Sequence, residues 1–216
     1  MHIDKTKFED KNKKMFSWVA RYYDNGLFRK YYFEKIYDRV LLEAEGTMKN
    51  YFGRPIKLLD VACGTGEIIN RLSRKFPESE FLGADFSEEM LAKARAKPPT
   101  ATKIRFLAAE VTALPFANET FDLIICTEAF HHFSRPDDAL REIRRLLKPD
   151  GMFLLIDLAF NIRVIKTLIG PFFHWLENAY AYYSKPELEK KLELNGFVIQ
   201  KSYTYYFNNY FFTAKK

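Results

Sequence analysis

The stretch Leu58-Leu59-Asp60-Val61-Ala62-Cys63-Gly64-Thr65-Gly66-Glu67 decides the fold of this chain. Its apolar residues predict a buried strand that ends in an acid, and the two glycines lead into a helix predicted over Glu67–Lys75. Gly64 and Gly66 permit a tight turn that brings bare backbone against a ligand. The free N–H groups at the start of the helix face the same space. A strand, a glycine loop and a helix in this order are typical of a nucleotide-cofactor site.

A second acid, Asp85, ends the next predicted strand, Phe81–Asp85, nineteen positions after Gly66. This is close to the spacing at which α/β folds place a carboxylate on the hydroxyls of a ribose. The dinucleotide fingerprint G-x-G-x-x-G would require its third glycine where this chain has Ile69. The loop therefore disfavours a nicotinamide dinucleotide.

Strands alternate with helical stretches along the rest of the chain, which predicts an α/β fold with a mostly parallel, doubly wound, Rossmann-like sheet. The last two predicted strands adjoin closely enough to form an antiparallel hairpin. The further predicted strands, which bring the total to seven, are Ile104–Ala108, Phe121–Cys126, Met152–Leu158, Phe197–Thr204 and Tyr206–Thr213.

The glycine stretch resembles the first motif of class I S-adenosylmethionine-dependent methyltransferases, D-x-G-x-G-x-G, with Ala62 in the first glycine position. Four more segments resemble later parts of that family's pattern, and the motifs are closest to those of the type 11 and ubiquinone/menaquinone-biosynthesis methyltransferases. These segments are Phe16–Asp24, Phe86–Ala94, Ala109–Asp122 and Thr127–Phe133. The resemblance implies a seven-stranded class I methyltransferase fold and S-adenosyl-L-methionine as cofactor, with S-adenosyl-L-homocysteine as product.

The resemblance also implies which residues contact the cofactor. Asp60 and the glycine loop would hold the amino-acid end, Asp85 the ribose, and Glu110 the adenine amino group, although Glu110 stands where the family has aspartate. The full set is Asp60, Ala62, Cys63, Gly64, Thr65, Gly66, Asp85, Phe86, Met90, Glu110, Val111 and Thr127.

Three residues are candidates for taking a proton from a methyl acceptor: His132, His131 and Tyr23. A histidine has the right pKa range for a general base, and a tyrosine can orient a hydroxyl. A histidine after a strand also serves as a structural hydrogen-bonding group, so both interpretations stay open. Asp157 is a weaker candidate that would lie near the end of the fifth strand, where it could be an ordinary helix cap.

Aromatic clusters flank the cofactor motifs and predict a lid. We expect a helical lid over residues 1–50, a cofactor-binding domain over 51–216, and a helical lid insertion over 159–185. Gly170-Pro171 is expected to break the insertion into two helices. The lid would close over a small apolar or aromatic acceptor, namely a quinol precursor, a phenol or a lipid-like molecule. Plain core packing of the aromatic residues is the alternative.

The composition narrows the class of partner. The net charge is +6, but acids interrupt the basic N-terminal arm and no nucleic-acid-binding module is present, which disfavours a nucleic acid. The two cysteines, Cys63 and Cys126, are expected to be buried and reduced, without a metal, in a cytoplasmic protein. Contact with a membrane surface and the oligomeric state stay open. The alternatives in function are a non-catalytic S-adenosylmethionine-binding partner subunit and, less favoured, a nicotinamide-dependent oxidoreductase.

Overall fold

The computed structural model describes residues 8, 11, 12, 15, 29–98, 103–158, 179–206 and 209–216. Seven strands are present in these ranges: β1 (Lys57–Val61), β2 (Glu80–Asp85), β3 (Ile104–Ala108), β4 (Phe121–Thr127), β5 (Leu147–Leu158), β6 (Val198–Tyr205) and β7 (Asn209–Lys215). Five α-helices accompany them: α1 (Glu34–Gly46), α2 (Glu67–Lys75), α3 (Glu88–Ala96), α4 (Pro136–Leu146) and α5 (Lys185–Leu194). Helical turns over Arg29–Phe33 and Thr47–Phe52 extend α1 at both ends.

The strands form a single sheet in the order β3-β2-β1-β4-β5-β7-β6. The first five strands are parallel to one another, and β7 runs antiparallel to both β5 and β6. The chain leaves β1 toward one edge and returns to build the other half from β4, so the strand order reverses between β1 and β4. In open α/β sheets a ligand crevice forms outside the carboxyl ends of the strands at such a point.

Both faces of the sheet are covered, because alternate strand residues point to opposite sides. One core cluster joins Leu58 and Ile125 to α1 and α2, and the other joins Leu59 and Ile124 to α4 and α5. Leu58 and Leu59 are neighbours in sequence and both are fully buried. This arrangement confirms the doubly wound α/β prediction.

The predicted seven strands and the antiparallel C-terminal hairpin are confirmed, and the helix predicted over Glu67–Lys75 has those bounds. The observed ends of the strands differ more from the predicted ends. β5 begins at Leu147, five residues before the predicted start, because Leu147 already pairs with Phe121 of β4. β7 begins at Asn209 rather than Tyr206. Local pattern marks the ends of a strand poorly, since pairing with a distant strand sets them.

The N-terminal part described by the structure belongs to the core rather than lying over it. Ile36, Val40 and Ala44 of α1 are at most 1% exposed, and the helical run through Phe52 crosses the predicted boundary at residue 50. Most of residues 1–28, with Tyr23, and residues 159–178, with Gly170-Pro171, lie outside the described residues. The division into a domain and two lids therefore stays a prediction. No helix in the described ranges is long and apolar enough to cross a membrane.

Candidate active site

A cleft of about 1010 Å³, including its mouth, opens at the carboxyl ends of β1, β2 and β4. We call it the main cleft. Its walls contain eight of the twelve predicted cofactor residues: Ala62, Gly64, Asp85, Phe86, Met90, Glu110, Val111 and Thr127. The topology brings these residues together from four separate stretches of sequence. The other four, Asp60, Cys63, Thr65 and Gly66, belong to the same strand and loop but do not line the main cleft.

Asp60 is buried near the end of β1 and is only 2% exposed. Burial raises the pKa of Asp60 well above its usual range, and the neighbouring charge of Asp85 raises it further, with no hydrogen bond or ion pair from the described residues to oppose them. A buried carboxylate is costly unless a partner satisfies it. Asp60 is therefore suited to a ligand that carries a cation or a hydrogen-bond donor.

Asp85 joins the end of β2 to the glycine loop. The backbone N–H of Gly64 donates to its Oδ2 at 2.8 Å, and the N–H of Ser87 donates to its Oδ1 at 2.9 Å. Burial raises the pKa of Asp85, although these backbone donors oppose the rise. Each carboxylate oxygen has a second lone pair. Asp85 can thus hold the loop and still accept from a hydroxyl in the main cleft.

The two loop glycines have different physical roles. Both have left-handed backbone, with φ of +52° at Gly64 and +68° at Gly66. A Cβ built on Gly64 would meet nothing within 4 Å, whereas one on Gly66 would lie 2.9 Å from the ring of Phe106. Of the two, only Gly64 lines the main cleft, and close approach of its backbone to a ligand stays a prediction. Gly66 lets β3 pack against the loop.

Ala62 occupies the first glycine position of the motif and keeps the glycine-like conformation. Its φ is +55°, in the left-handed region that costs a residue with a Cβ about 1 kcal/mol. The surrounding loop overcomes that cost. Cys63 N–H donates to the backbone oxygen of Ala84 at 3.1 Å, which ties the segment after Ala62 to β2.

Ion pairs hold the glycine loop and the start of α2 from outside. Lys97 donates to Glu67 Oε2 at 2.7 Å and to the hydroxyl of Thr65 at 3.2 Å, and Arg71 donates to Glu67 Oε1 at 2.7 Å. Burial alone would raise the pKa of Glu67, but the hydrogen bonds and charges of Lys97 and Arg71 outweigh it and lower the pKa to about 2. Thr65 thus supports the loop beside the cleft.

The two histidines lie in different environments. His132 lines the main cleft. His131 is 4% exposed, and its Nδ1 lies 2.8 Å from Asp157 Oδ1. The two imidazole centroids are 4.1 Å apart, and the ring of Tyr182 stacks on His131 at 5.3 Å. His131 is therefore fixed behind His132, which has access to a substrate.

Asp157 lies near the end of the fifth strand, as expected, and its role as a helix cap stays a prediction because residues 159–178 lie outside the described residues. Asp157 is 1% exposed and pairs with Tyr210 of β7 in the sheet register. The prediction that both thiols are buried holds only for Cys126, since Cys63 is half-buried. Both cysteines are free, and no group of metal ligands occurs in the described part of the chain.

Sequence reasoning did not select ten of the residues that line the main cleft, and five of these are polar: Asn12, Thr112, Glu128, Ser134 and Arg135. Asn12 and Arg135 carried no local signal, because they reach the cleft only through tertiary packing. Glu128 directly follows Thr127 at the end of β4, the position from which side chains reach the crevice, and that position was a usable signal.

Comparisons with known proteins agree with this geometry. A family model described as a methyltransferase domain matches residues 59–155. The demethylmenaquinone methyltransferase of Thermus thermophilus is 38% identical over 104 residues, which cover 48% of this chain and 47% of that protein. A ubiquinone/menaquinone biosynthesis C-methyltransferase of Cereibacter sphaeroides is 32% identical over 129 residues, covering 58% of this chain and 49% of that protein. The chain thus spans about half the length of these curated relatives.

One solved structure extends the similarity over the whole fold. A SAM-dependent methyltransferase from Aquifex aeolicus superposes with a TM-score of 0.65 at 21% identity, covering 99% of this chain and 98% of the other. At this identity the superposition supports the fold alone.

The sheet order, the glycine loop and the acids at the strand ends define the class of protein with a class I methyltransferase fold. Within that class, residues 59–155 match the methyltransferase-domain model, and the same core is similar to the ubiquinone/menaquinone enzymes. The family resemblance of the sequence is confirmed.

Proposed function

We propose that this protein is an S-adenosylmethionine-dependent methyltransferase whose acceptor is a small, apolar or aromatic molecule. The observation that carries the proposal is Asp60, a buried carboxylate without a partner in the described residues. Asp60 lies near the end of β1, where the strand order reverses, and close to Asp85, which lines the main cleft. The quinone methyltransferases among the relatives support a quinol precursor or a similar phenol as acceptor.

The donors and acceptors that line the main cleft, together with Asp60 beside it, fit the cofactor. Asp60 would accept from its ammonium, directly or through water, Asp85 from its ribose hydroxyls, and Glu110 from its adenine amino group. Gly64 would let the backbone approach it, and the side chains of Phe86 and Met90 would contact its base. Cys63, Thr65 and Gly66 support the loop without lining the cleft. When bound, S-adenosylmethionine supplies an activated methyl group on a sulfonium.

The protein's own part in the reaction is to orient the acceptor, exclude water and accept a proton. We assign proton acceptance to His132, which lines the cleft, and the positioning of its ring to His131, which Asp157 holds at 2.8 Å. The ring centroids of His131 and His132 are 4.1 Å apart, so the fixed ring of His131 restricts the orientation of the His132 ring. Tyr23 stays a candidate for orienting the acceptor hydroxyl.

A binding experiment tests the cofactor assignment. Titration calorimetry should show binding of S-adenosylmethionine and S-adenosylhomocysteine and none of NADH. Asp85→Asn should weaken S-adenosylhomocysteine binding about tenfold or more, because a hydrogen bond to a charged group contributes about 1.5–3 kcal/mol. Tight NADH binding without a response to either sulfur compound would overturn the assignment.

A kinetic experiment separates an enzyme from a non-catalytic binding subunit. S-adenosylhomocysteine release should be measured against a panel of quinol precursors, phenols, amines and lipids. His132→Ala should lower kcat by about 10²–10⁴, the usual contribution of a general base, while the affinity for S-adenosylhomocysteine stays within about threefold. Equal fold losses in kcat and in the affinity for S-adenosylhomocysteine would give His132 a structural role. Binding without turnover on any acceptor would favour the partner subunit.

A further inference from the structure

Glu128 occupies a strained position on the wall of the main cleft. Its φ is +51°, in the left-handed region, and its backbone N–H donates to the oxygen of Ile156 in β5 at 2.9 Å. Such a conformation costs about 1 kcal/mol for a residue other than glycine. It persists where the surrounding structure imposes it, and it is concentrated at functional sites. In this backbone conformation Glu128 lines the main cleft.

A chain of hydrogen bonds holds the Glu128 carboxylate. The hydroxyl of Tyr32 donates to Glu128 Oε2 at 2.8 Å, and Asn209 Nδ2 donates to the Tyr32 oxygen at 3.0 Å. Asn209 is fully buried, and the same Nδ2 donates to the backbone oxygen of Tyr206 at 2.8 Å. The Tyr32 hydroxyl also lies 3.4 Å from Asn209 Oδ1, but its distance of 2.8 Å to Glu128 Oε2 is much shorter, which favours donation of the Tyr32 proton to Glu128. The helical turn before α1 and strand β7 together orient one carboxylate in the cleft.

We propose that Glu128 binds a hydroxyl group of the methyl acceptor and that Tyr32 is its positioning residue. The inference rests on the proposed function. An ionised carboxylate only accepts hydrogen bonds and has about four lone-pair directions, so it can accept from the Tyr32 hydroxyl and from a further donor at the same time. A hydrogen bond from a neutral hydroxyl to this carboxylate would be charge-assisted.

The surroundings of Glu128 favour a hydroxyl over an ammonium. Ala129, Phe133 and Val61 line the same cleft and present apolar atoms. Removing a full positive charge from water in such a place costs more than removing a neutral hydroxyl. Glu128 therefore selects an aromatic acceptor that carries a hydroxyl, and it fixes the ring relative to the methyl group.

Binding of two matched probes tests this selection without requiring turnover. In saturating S-adenosylhomocysteine, calorimetry should compare 2-naphthol with 2-methoxynaphthalene, which has the same ring system but no hydroxyl donor. We expect the unaltered protein to bind 2-naphthol at least tenfold more tightly. Glu128→Gln and Tyr32→Phe should each reduce that preference at least threefold, with the affinity for S-adenosylhomocysteine unchanged.

Tyr206→Phe is the matched control. The Tyr206 ring lies 6.4 Å from that of Tyr32, but its hydroxyl donates to the backbone oxygen of Tyr31 at 3.2 Å. It should keep the full preference for 2-naphthol. Tyr32→Phe keeps the ring that packs against Phe33 at 5.2 Å, so a purely structural role would leave the preference unchanged.

The outcomes separate this inference from the proposed function. If S-adenosylhomocysteine does not bind, the proposed function fails. If it binds but the unaltered protein shows no preference for 2-naphthol or binds neither probe, the role of Glu128 is overturned. The role is also overturned if the preference survives in both Glu128→Gln and Tyr32→Phe.

Discussion

At the scale of single residues, Asp60 and Asp85 lie close together near the ends of β1 and β2, and no hydrogen bond from the described chain reaches Asp60. Burial and the charge of Asp85 raise the pKa of Asp60, so its carboxyl group is protonated over a wider pH range than a free aspartate. A bound ammonium favours the ionised form. The affinity for a ligand that carries an ammonium must therefore fall as the pH drops below the raised pKa of Asp60.

This linkage gives a prediction for Asp60→Asn. S-adenosylhomocysteine should bind the unaltered protein more weakly as the pH falls, and more steeply than 5′-methylthioadenosine, which lacks the amino-acid end. In Asp60→Asn the binding of S-adenosylhomocysteine should be weaker at neutral pH, and both ligands should show the same pH dependence. Calorimetry at a series of pH values measures this. A pH dependence that differs between the ligands and survives the substitution would assign the ammonium to another group.

At the scale of elements, the glycine loop is fixed by its neighbours rather than by its own sequence alone. Phe106 of β3 and Ala94 of α3 fill the space beside Gly66, and the ion pairs of Glu67 hold the first turn of α2. Two predictions belong to this scale.

The first compares Gly64→Ala with Gly66→Ala. Gly64→Ala should lower the free energy of unfolding by about 1 kcal/mol, the cost of left-handed backbone, and should weaken cofactor binding because Gly64 lines the cleft. Gly66→Ala should lower it by about 2–4 kcal/mol, since overpacking against Phe106 adds to the same backbone cost. Urea unfolding and calorimetry check both variants. Equal stability of the two would contradict the assigned roles.

The second concerns Glu67→Gln. The pKa of Glu67 is lowered from 4.5 to about 2, so its ion pairs stabilise the folded state fully above about pH 4.5 and lose that contribution as the pH falls toward 2. At neutral pH the substitution should cost about 1–2 kcal/mol, because the group is partly exposed to solvent. The difference in unfolding free energy between the two proteins should shrink as the pH falls below 4.5. A difference independent of pH would show that the charge of Glu67 is not its source.

At the scale of the whole molecule, the chain before the cofactor core contributes a residue to the main cleft, and the chain after the core contacts His131 beside it. Asn12 lines it, Phe8 packs on Tyr180 at 5.2 Å, and the backbone N–H of Tyr180 donates to His131 O at 2.8 Å. The buried side chains of α1, by contrast, belong to the hydrophobic core that covers one face of the sheet.

Deletion of residues 1–28 tests the predicted lid and leaves α1 and Tyr32 in place. The truncated protein should bind S-adenosylhomocysteine within about tenfold of the full chain but lose transfer, because an open site loses orientation and exclusion of water. A cut at Lys35 would be a poorer test, since it removes the buried Tyr32. Circular dichroism controls for folding. Full turnover of the truncated protein would show that the N-terminal aromatic residues form no lid.

The sequence by itself determined the doubly wound sheet, the succession of its strands and helices along the chain, and the positions of Asp60, Gly64 and Asp85 at the strand ends and in the glycine loop. Each of these depends on local pattern: apolar runs, glycines that permit left-handed backbone, and acids at strand ends. Tertiary structure alone decided that Gly66 accommodates Phe106, that Asp157 pairs with His131, and that Tyr32 and Asn209 hold Glu128. Those contacts join residues up to 177 positions apart. No local pattern carries such a contact, because the packing of the sheet and its helices creates it.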